Sequence, residues 1–225
     1  MIPLRDTIPS RRIPWITRTL LLVNVAAFVL EIRQGQTLEA FIYQFGVVPT
    51  HWFVSSLSDF LDWPHLFLTL LTAQFLHGSI LHLVSNMLYL WIFADNVEDR
   101  LGHGRFLLLY LASGIVAGVA QILVSPRSTI PMVGASGAIA GVLGAYLLMF
   151  PTAKILTLVP LWFFWETIEI PAFVFLGVWF LLQWVYGLVS IGQVADVGGV
   201  AFWAHVGGFV SGMLGVVVIR TRRRW

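Results

Sequence analysis

The sequence predicts an all-α membrane protein: a bundle of six transmembrane helices with an interfacial first loop. Three observations carry this. Of 225 residues, 58% are hydrophobic and only 11% charged, with a mean hydropathy of +0.86, whereas a soluble domain carries about 25% charged residues. The charges gather between apolar runs, several of which approach the roughly 20 residues that a membrane span needs. When the runs are threaded back and forth, eleven of the thirteen Lys and Arg residues fall on one side.

Taken in order, the first span covers about Ile16 to Leu30, with Arg18 placed to snorkel. The N-terminus is basic ahead of this run, as in a signal peptide, but no clear small-x-small cleavage site follows; the run is retained as a span. Glu31 to about His65 is too apolar for a free loop and too interrupted by Glu39, Asp59 and Asp62 for a span, so it should rest at the membrane interface. The next uncharged run, Trp63 to Ala94, has its helical core at about Ile80 to Ala94. A third span covers about Phe106 to Val124. The fourth lies between Arg127 and Lys154, the fifth between Glu169 and Asp196, and the sixth from about Gly198 to Ile219. One integral membrane domain over 1–225 is expected, with a short cytoplasmic segment at about 1–15 and a basic cytoplasmic tail at 220–225.

Basic residues favour the cytoplasmic side, which places both termini in the cytoplasm and requires an even number of spans. The net charge of +2 follows from arginines at the ends of apolar runs, so it is no nucleic-acid footprint. The chain has no cysteine, hence no disulfide framework and no thiolate metal site. It also lacks an HExxH pattern and intramembrane acids, which disfavours a metal centre. An aspartyl membrane protease would need two intramembrane carboxylates, and none is found.

Polar side chains inside a bilayer are costly, so they are functional candidates by default. Four stand out: His82 and Asn86 in the second span, Ser136 in the fourth and His205 in the sixth. Fifteen residues separate Ser136 from Pro151, and fifteen separate His205 from Arg220; each stretch rises roughly 22 Å as helix. Thirteen residues from His82 to Asp95 give roughly 20 Å. The three side chains therefore share one level, several ångströms below the outer surface of a core about 30 Å thick. A helix starting at Ser136 is too short to reach that surface, so Ser125–Ala135 must dip into the membrane. Irregular backbone at such depth needs protein or a water-filled cavity around it.

A serine hydroxyl becomes a nucleophile when a neighbouring base takes its proton, and histidine is the usual base. Small residues, Gly208 and Gly212 on the sixth span and the Ala/Gly stretch after Ser136 on the fourth, allow the two helices to meet. Without an acid at this level the expectation is a Ser136–His205 dyad. The oxyanion donors would be the Ser136 backbone N–H at a helix N-terminus and the side chains of His82 and Asn86, which share a helix face. Of the other histidines, His51, His65 and His103 are expected to be solvated. His77 lies on a different face from His82 and is expected to make a structural hydrogen bond.

These residues resemble the rhomboid family of intramembrane serine proteases. Gly134–Ala135–Ser136–Gly137 is similar to the family's GxSG, and Ala204–His205–Val206–Gly207–Gly208 with Gly212 to its histidine helix. His77, His82 and Asn86 match H-x4-H-x3-N, and Glu98–Asp99–Arg100–Leu101–Gly102 resembles the cytoplasmic E-x-R-L-G segment. The resemblance implies an endopeptidase that cleaves membrane-anchored proteins, with Ser136 as nucleophile, His205 as base and acid, and His82, Asn86 and the Ser136 N–H as the oxyanion hole. It further implies that the fifth span and the loop Ser190–Gly199 gate and cap the site. Two departures are evident. Leu68 and Thr69 stand where the family has Trp-Arg. Ala140 replaces the aromatic that packs on the catalytic histidine, so support for the His205 ring must come from elsewhere.

The implied partners are transmembrane protein substrates and the lipid bilayer, without nucleic acid, metal or cofactor. The expected location is a prokaryotic inner or plasma membrane, as a multi-pass protein. Two alternatives remain: a non-proteolytic relative that binds or escorts client membrane proteins, and a channel or transporter. Non-proteolytic relatives typically lack the serine or the histidine. A channel or transporter would place polar groups in both halves of the membrane rather than near one face.

Overall fold

The computed structural model describes residues 1–54, 63–191 and 200–221. Asp59 and Asp62 of the first loop, most of the Ser190–Gly199 loop and Arg222–Arg224 of the basic tail lie outside the described residues. Among the described residues five helices are long and apolar enough to cross a membrane: α1 (Trp15–Arg33), α5 (Ile80–Leu101), α6 (His103–Val124), α8 (Ala172–Ser190) and α9 (Phe202–Thr221). The expected fourth span corresponds to α7 (Ser136–Met149), which is apolar but has only 14 residues, or about 21 Å. It starts at Ser136, as expected of the short fourth helix. Among the described residues of the first loop and the stretch after it lie three shorter helices, α2 (Leu38–Phe45), α3 (His51–Val54) and α4 (Trp63–Thr72).

α7 sits at the centre of the bundle. Every residue from Gly137 to Tyr146 is buried, and small residues make this possible. A Cβ at Gly208 would fall on the Gly137 carbonyl, one at Gly212 on the Gly141 backbone, and one at Gly144 on the Phe209 carbonyl. On the opposite side Gly137 lies against Ala117 and Gly141 against Ser113. α7 is thus clasped between α9, at backbone contact, and the small side chains of α6, the close packing that small residues permit between membrane helices. The main core extends from this clasp through Leu90, Phe93, Phe106, Tyr110, Leu143 and Tyr146.

The irregular segment before α7 is held by the first loop. Val47 and Met132 exchange backbone hydrogen bonds of 3.0 and 2.8 Å, the Thr50 N–H donates to the Ser128 carbonyl, and the Gly134 N–H donates to the Ala73 carbonyl. Leu70, Ala73, Val47 and Ile122 form a second apolar cluster beneath it. The first loop thus supplies partners to several backbone groups of the segment, while Pro126, Arg127, Thr129 and Ile130 stay exposed. Here α4 packs by Leu66 and Leu70, while Thr69 is buried and Leu68 exposed. At the positions of the family's Trp-Arg pair, Leu68 therefore points outward and the Thr69 hydroxyl donates to the Leu66 carbonyl. α1 is tied in by Glu31, whose carboxylate accepts the His77 N–H.

The Glu98–Gly102 segment belongs to α5 rather than to a loop. Buried Glu98 accepts from the N–H groups of Ile16 and Thr17 and from the Thr17 hydroxyl, capping the N-terminus of α1. His103 is exposed, as expected, and its Nδ1 also contacts Glu98 at 2.5 Å. Leu101 is buried and Gly102 has φ +79°, which allows α5 to end and α6 to begin within one residue.

The helical bundle carries one addition that the sequence reading did not include. A three-stranded antiparallel sheet of β1 (Ile2–Asp6), β2 (Lys154–Leu161) and β3 (Phe164–Pro171) lies at the end of α7 remote from Ser136. Asp6 anchors it by accepting from the Tyr146 hydroxyl and from Asn96 Nδ2. Burial raises the Asp6 carboxyl above its ordinary value, and the Tyr146 hydrogen bond works against that rise. The first fifteen residues are thus partly a strand rather than a loose segment.

Candidate active site

α7 begins without a side-chain cap at Ala135, so its first N–H groups, that of Ser136 included, have no intrahelical partner. Gly134 precedes it with φ +132°, a conformation that a side chain would strain. A Cβ at Gly134 would also lie 2.8 Å from His82 Cε1 and Nε2. Glycine there brings the His82 ring against the approach to Ser136.

Ser136 and His205 meet: the Ser136 hydroxyl and His205 Nε2 are 2.8 Å apart. Their helices are the pair in closest backbone contact, so the glycine seam sets this distance. The Ala204 N–H near the start of α9 donates to Gln121 Oε1 on α6. Both side chains line a cavity of about 730 Å³ together with His82, Asn86, Met132 and Gly134. Asn86 is buried, and its Nδ2 donor has no hydrogen-bond partner among the described residues. His82 is set at the first turn of α5, where its N–H donates to the Ser79 hydroxyl. The four polar residues singled out within the spans thus line one cavity.

His77 differs from its expected role. Its ring nitrogens have no partner among the described residues, and the structural hydrogen bond runs through its backbone N–H to Glu31. The ring packs edge-on against His82 at 5.1 Å. Burial, and to a lesser degree the neighbouring His82, lowers the His77 imidazole to about 4 and keeps it neutral near pH 7.

One residue at the site was missed in the sequence. Gln183 of α8 places Oε1 2.8 Å from His205 Nδ1. One turn earlier on the same helix, the Trp179 ring lies 5.8 Å from the His205 ring. With Ala140 on α7 fully buried and too small to back the imidazole, the support for His205 comes from α8. Gln183 is an amide within an apolar span, and the criterion that selected Asn86 would have selected it.

Fold and site together define a multi-pass helical membrane protein that brings a serine and a histidine together in a cavity at the head of a short, buried central helix. Comparison with known proteins agrees. The profile of the family described as Rhomboid domain matches residues 64–222, and the chain belongs to the rhomboid family. It is 42% identical over 120 residues to Rhomboid protease GluP of Bacillus subtilis, covering 53% of this chain and 21% of that protein. It is 41% identical over 80 residues to the Putative rhomboid protease YdcA of the same organism, covering 36% and 40%. Against Rhomboid protein 1, mitochondrial, of Saccharomyces cerevisiae it is 30% identical over 151 residues, covering 65% and 40%. The matches span less than half the length of these relatives.

Proposed function

We propose that the protein is an intramembrane serine endopeptidase that hydrolyses peptide bonds in or near the transmembrane segments of membrane-anchored proteins. The observation that carries this reading is the 2.8 Å approach of the Ser136 hydroxyl to His205 Nε2 within the cavity, in a chain whose relatives include named rhomboid proteases.

Ser136 Oγ attacks the scissile carbonyl carbon while its proton passes to His205 Nε2. The new C–O bond makes a tetrahedral intermediate whose oxyanion accepts from the Ser136 N–H, His82 and Asn86. The unpartnered Asn86 Nδ2 suits this task, since a buried donor without a partner is costly and gains one only when charge develops beside it. The C–N bond then breaks, and the proton on Nε2 goes to the leaving amine. Water from the cavity attacks the acyl-serine with His205 again taking a proton, which releases the acid and restores Ser136. The α8 helix and the loop after it would admit the substrate. Both termini and the sheet would face the cytoplasm and the cavity the opposite side, in a prokaryotic inner or plasma membrane.

The test is cleavage of a labelled transmembrane substrate by the protein reconstituted in liposomes. Wild type should cleave, and Ser136→Ala and His205→Ala should each lower kcat about 10⁴-fold or more, the scale for loss of a nucleophile or its base. Equal product from wild type and Ser136→Ala would reject the assignment. Binding of a client without cleavage would favour the escort reading.

A further inference from the structure

We infer that Gln183 is a positioning residue for His205, a neutral third member that makes the base competent only while α8 is seated against α9. The inference rests on the proposed Ser136–His205 chemistry and extends it to a helix that contributes no reacting atom.

The hydrogen-bond pattern fixes the roles. Gln183 Nε2 lies 3.4 Å from the Trp179 carbonyl oxygen. A carbonyl only accepts, so the NH₂ end of the amide must face it, and Oε1 is turned to His205 Nδ1. Oε1 likewise only accepts, so Nδ1 must carry the hydrogen. A neutral imidazole with its proton on Nδ1 presents a lone pair at Nε2, and there the Ser136 hydroxyl lies. Of the two tautomers, Gln183 selects the one able to take a proton from serine. When Nε2 is protonated, the Nδ1–H···Oε1 bond becomes charge-assisted and strengthens. A carboxylate would do the same, but an isolated charge is expensive inside a bilayer. An amide orients the ring without that cost.

The placement of Gln183 gives the arrangement its consequence. Ser136 and His205 stand on helices locked at backbone contact, whereas α8 buries only Ala172, Phe175, Leu176 and Gly187. Its hold on α9 is a strip of side chains. Phe180 stacks on Phe209 at 4.7 Å, Trp184 meets Trp203 at 5.4 Å, and the Trp203 indole N–H donates to the Gly187 carbonyl. Gln183–His205 is the polar contact in that strip that reaches the site. If α8 moves away, His205 keeps its distance from Ser136 through the α7–α9 seam but loses its Nδ1 acceptor and its ring wall together. The imidazole is then free to turn or to change tautomer.

The full chain in liposomes tests this with Gln183→Leu, which keeps much of the bulk but has no acceptor, and Gln183→Glu, which restores one. Gln183→Leu should lower kcat about 10- to 100-fold, between the loss of one neutral hydrogen bond and the much larger loss seen when an active-site histidine is held in the wrong tautomer. KM should stay within about twofold, since Gln183 acts on the base rather than on ground-state binding. Gln183→Glu should recover most of the rate. ¹⁵N-histidine spectra of the resting protein read the tautomer directly, with the His205 signals assigned by their absence in His205→Asn. Wild type should carry its proton on Nδ1, and Gln183→Leu should lose that preference. Gln183→Leu cleaving at the wild-type rate, Gln183→Glu failing to recover, or a wild-type His205 protonated on Nε2 would each overturn the inference. If wild type cleaves nothing, the protease reading fails by itself. The spectrum then still decides whether Gln183 sets the tautomer, as it also does if Gln183→Leu does not fold.

Discussion

α7 and α8 follow one another in the chain, are similarly apolar, and are held in opposite ways. α7 is buried from Gly137 to Tyr146 and touches α9 through backbone, with no side chain between Gly212 and Gly141 or between Gly208 and Gly137. α8 leaves Leu181, Trp184, Val185 and Leu188 exposed and meets α9 mainly through large side chains, with the Gly187 carbonyl bonded by Trp203. Under the proposed function, the separation divides two requirements of catalysis. Nucleophile and base must stay within hydrogen-bond reach, which favours a seam that cannot slide. A substrate helix must reach them, which favours a neighbour that can be displaced. The sequence encodes the first in Gly and Ala at four-residue spacing and the second in Phe and Trp.

The largest effect that would break this contrast lies in the seam. Gly212→Leu sets a side chain where the Gly141 backbone already lies. Two backbones cannot repack as side chains do, so the cost should reach or exceed the upper end of the usual 1–3 kcal/mol for overpacking. The expected outcome is a fall in thermal stability together with loss of cleavage, as α7 and α9 separate. An unchanged melting temperature with full activity would show that the seam does not hold the pair. Gln183→Leu, on the loose side, should spare stability and slow turnover, and that difference in kind sharpens the comparison.

The smallest expected effect is at the far end of α7, where Tyr146 and Asn96 hold Asp6 of the sheet. Its carboxyl is raised by burial, so its protonated form is favoured in the folded protein. The stability that it contributes is full below the unfolded value near 3.8 and is lost as pH rises through the folded value. Asp6→Asn keeps an acceptor for Tyr146 and cannot ionise. Between pH 4 and pH 7 the wild-type melting temperature should therefore fall relative to that of Asp6→Asn. Parallel curves for the two proteins would remove this role for Asp6.

Most of the bundle was legible because a membrane core penalises charge, and the spans stand out as the stretches between charges. The site was legible for the same reason: few polar residues are tolerated at depth, and counting rises from the helix ends put Ser136, His82 and His205 at one level. The sheet was not legible. Its hairpin turns at Trp162 and Phe163, with φ +54° at Trp162, and has none of the Asn-Gly or Gly-X chemistry that marks a two-residue turn. β1 carries a proline and pairs with a strand some 150 residues away, a relation that no local pattern announces. Gln183, an amide within the fifth span, meets the criterion that selected Asn86 but was overlooked. Its role arises from Ala140, where the missing aromatic on α7 left the imidazole to be supported from α8.

The most direct measurement is mass-spectrometric mapping of a fluorophosphonate probe on the protein in liposomes, since it reports on Ser136 without requiring the natural substrate. The expected result is a single adduct on Ser136 in wild type that disappears in His205→Ala, because serine reacts only when histidine removes its proton. An adduct on another residue, or equal labelling of Ser136 with and without His205, would contradict the pairing of these two side chains.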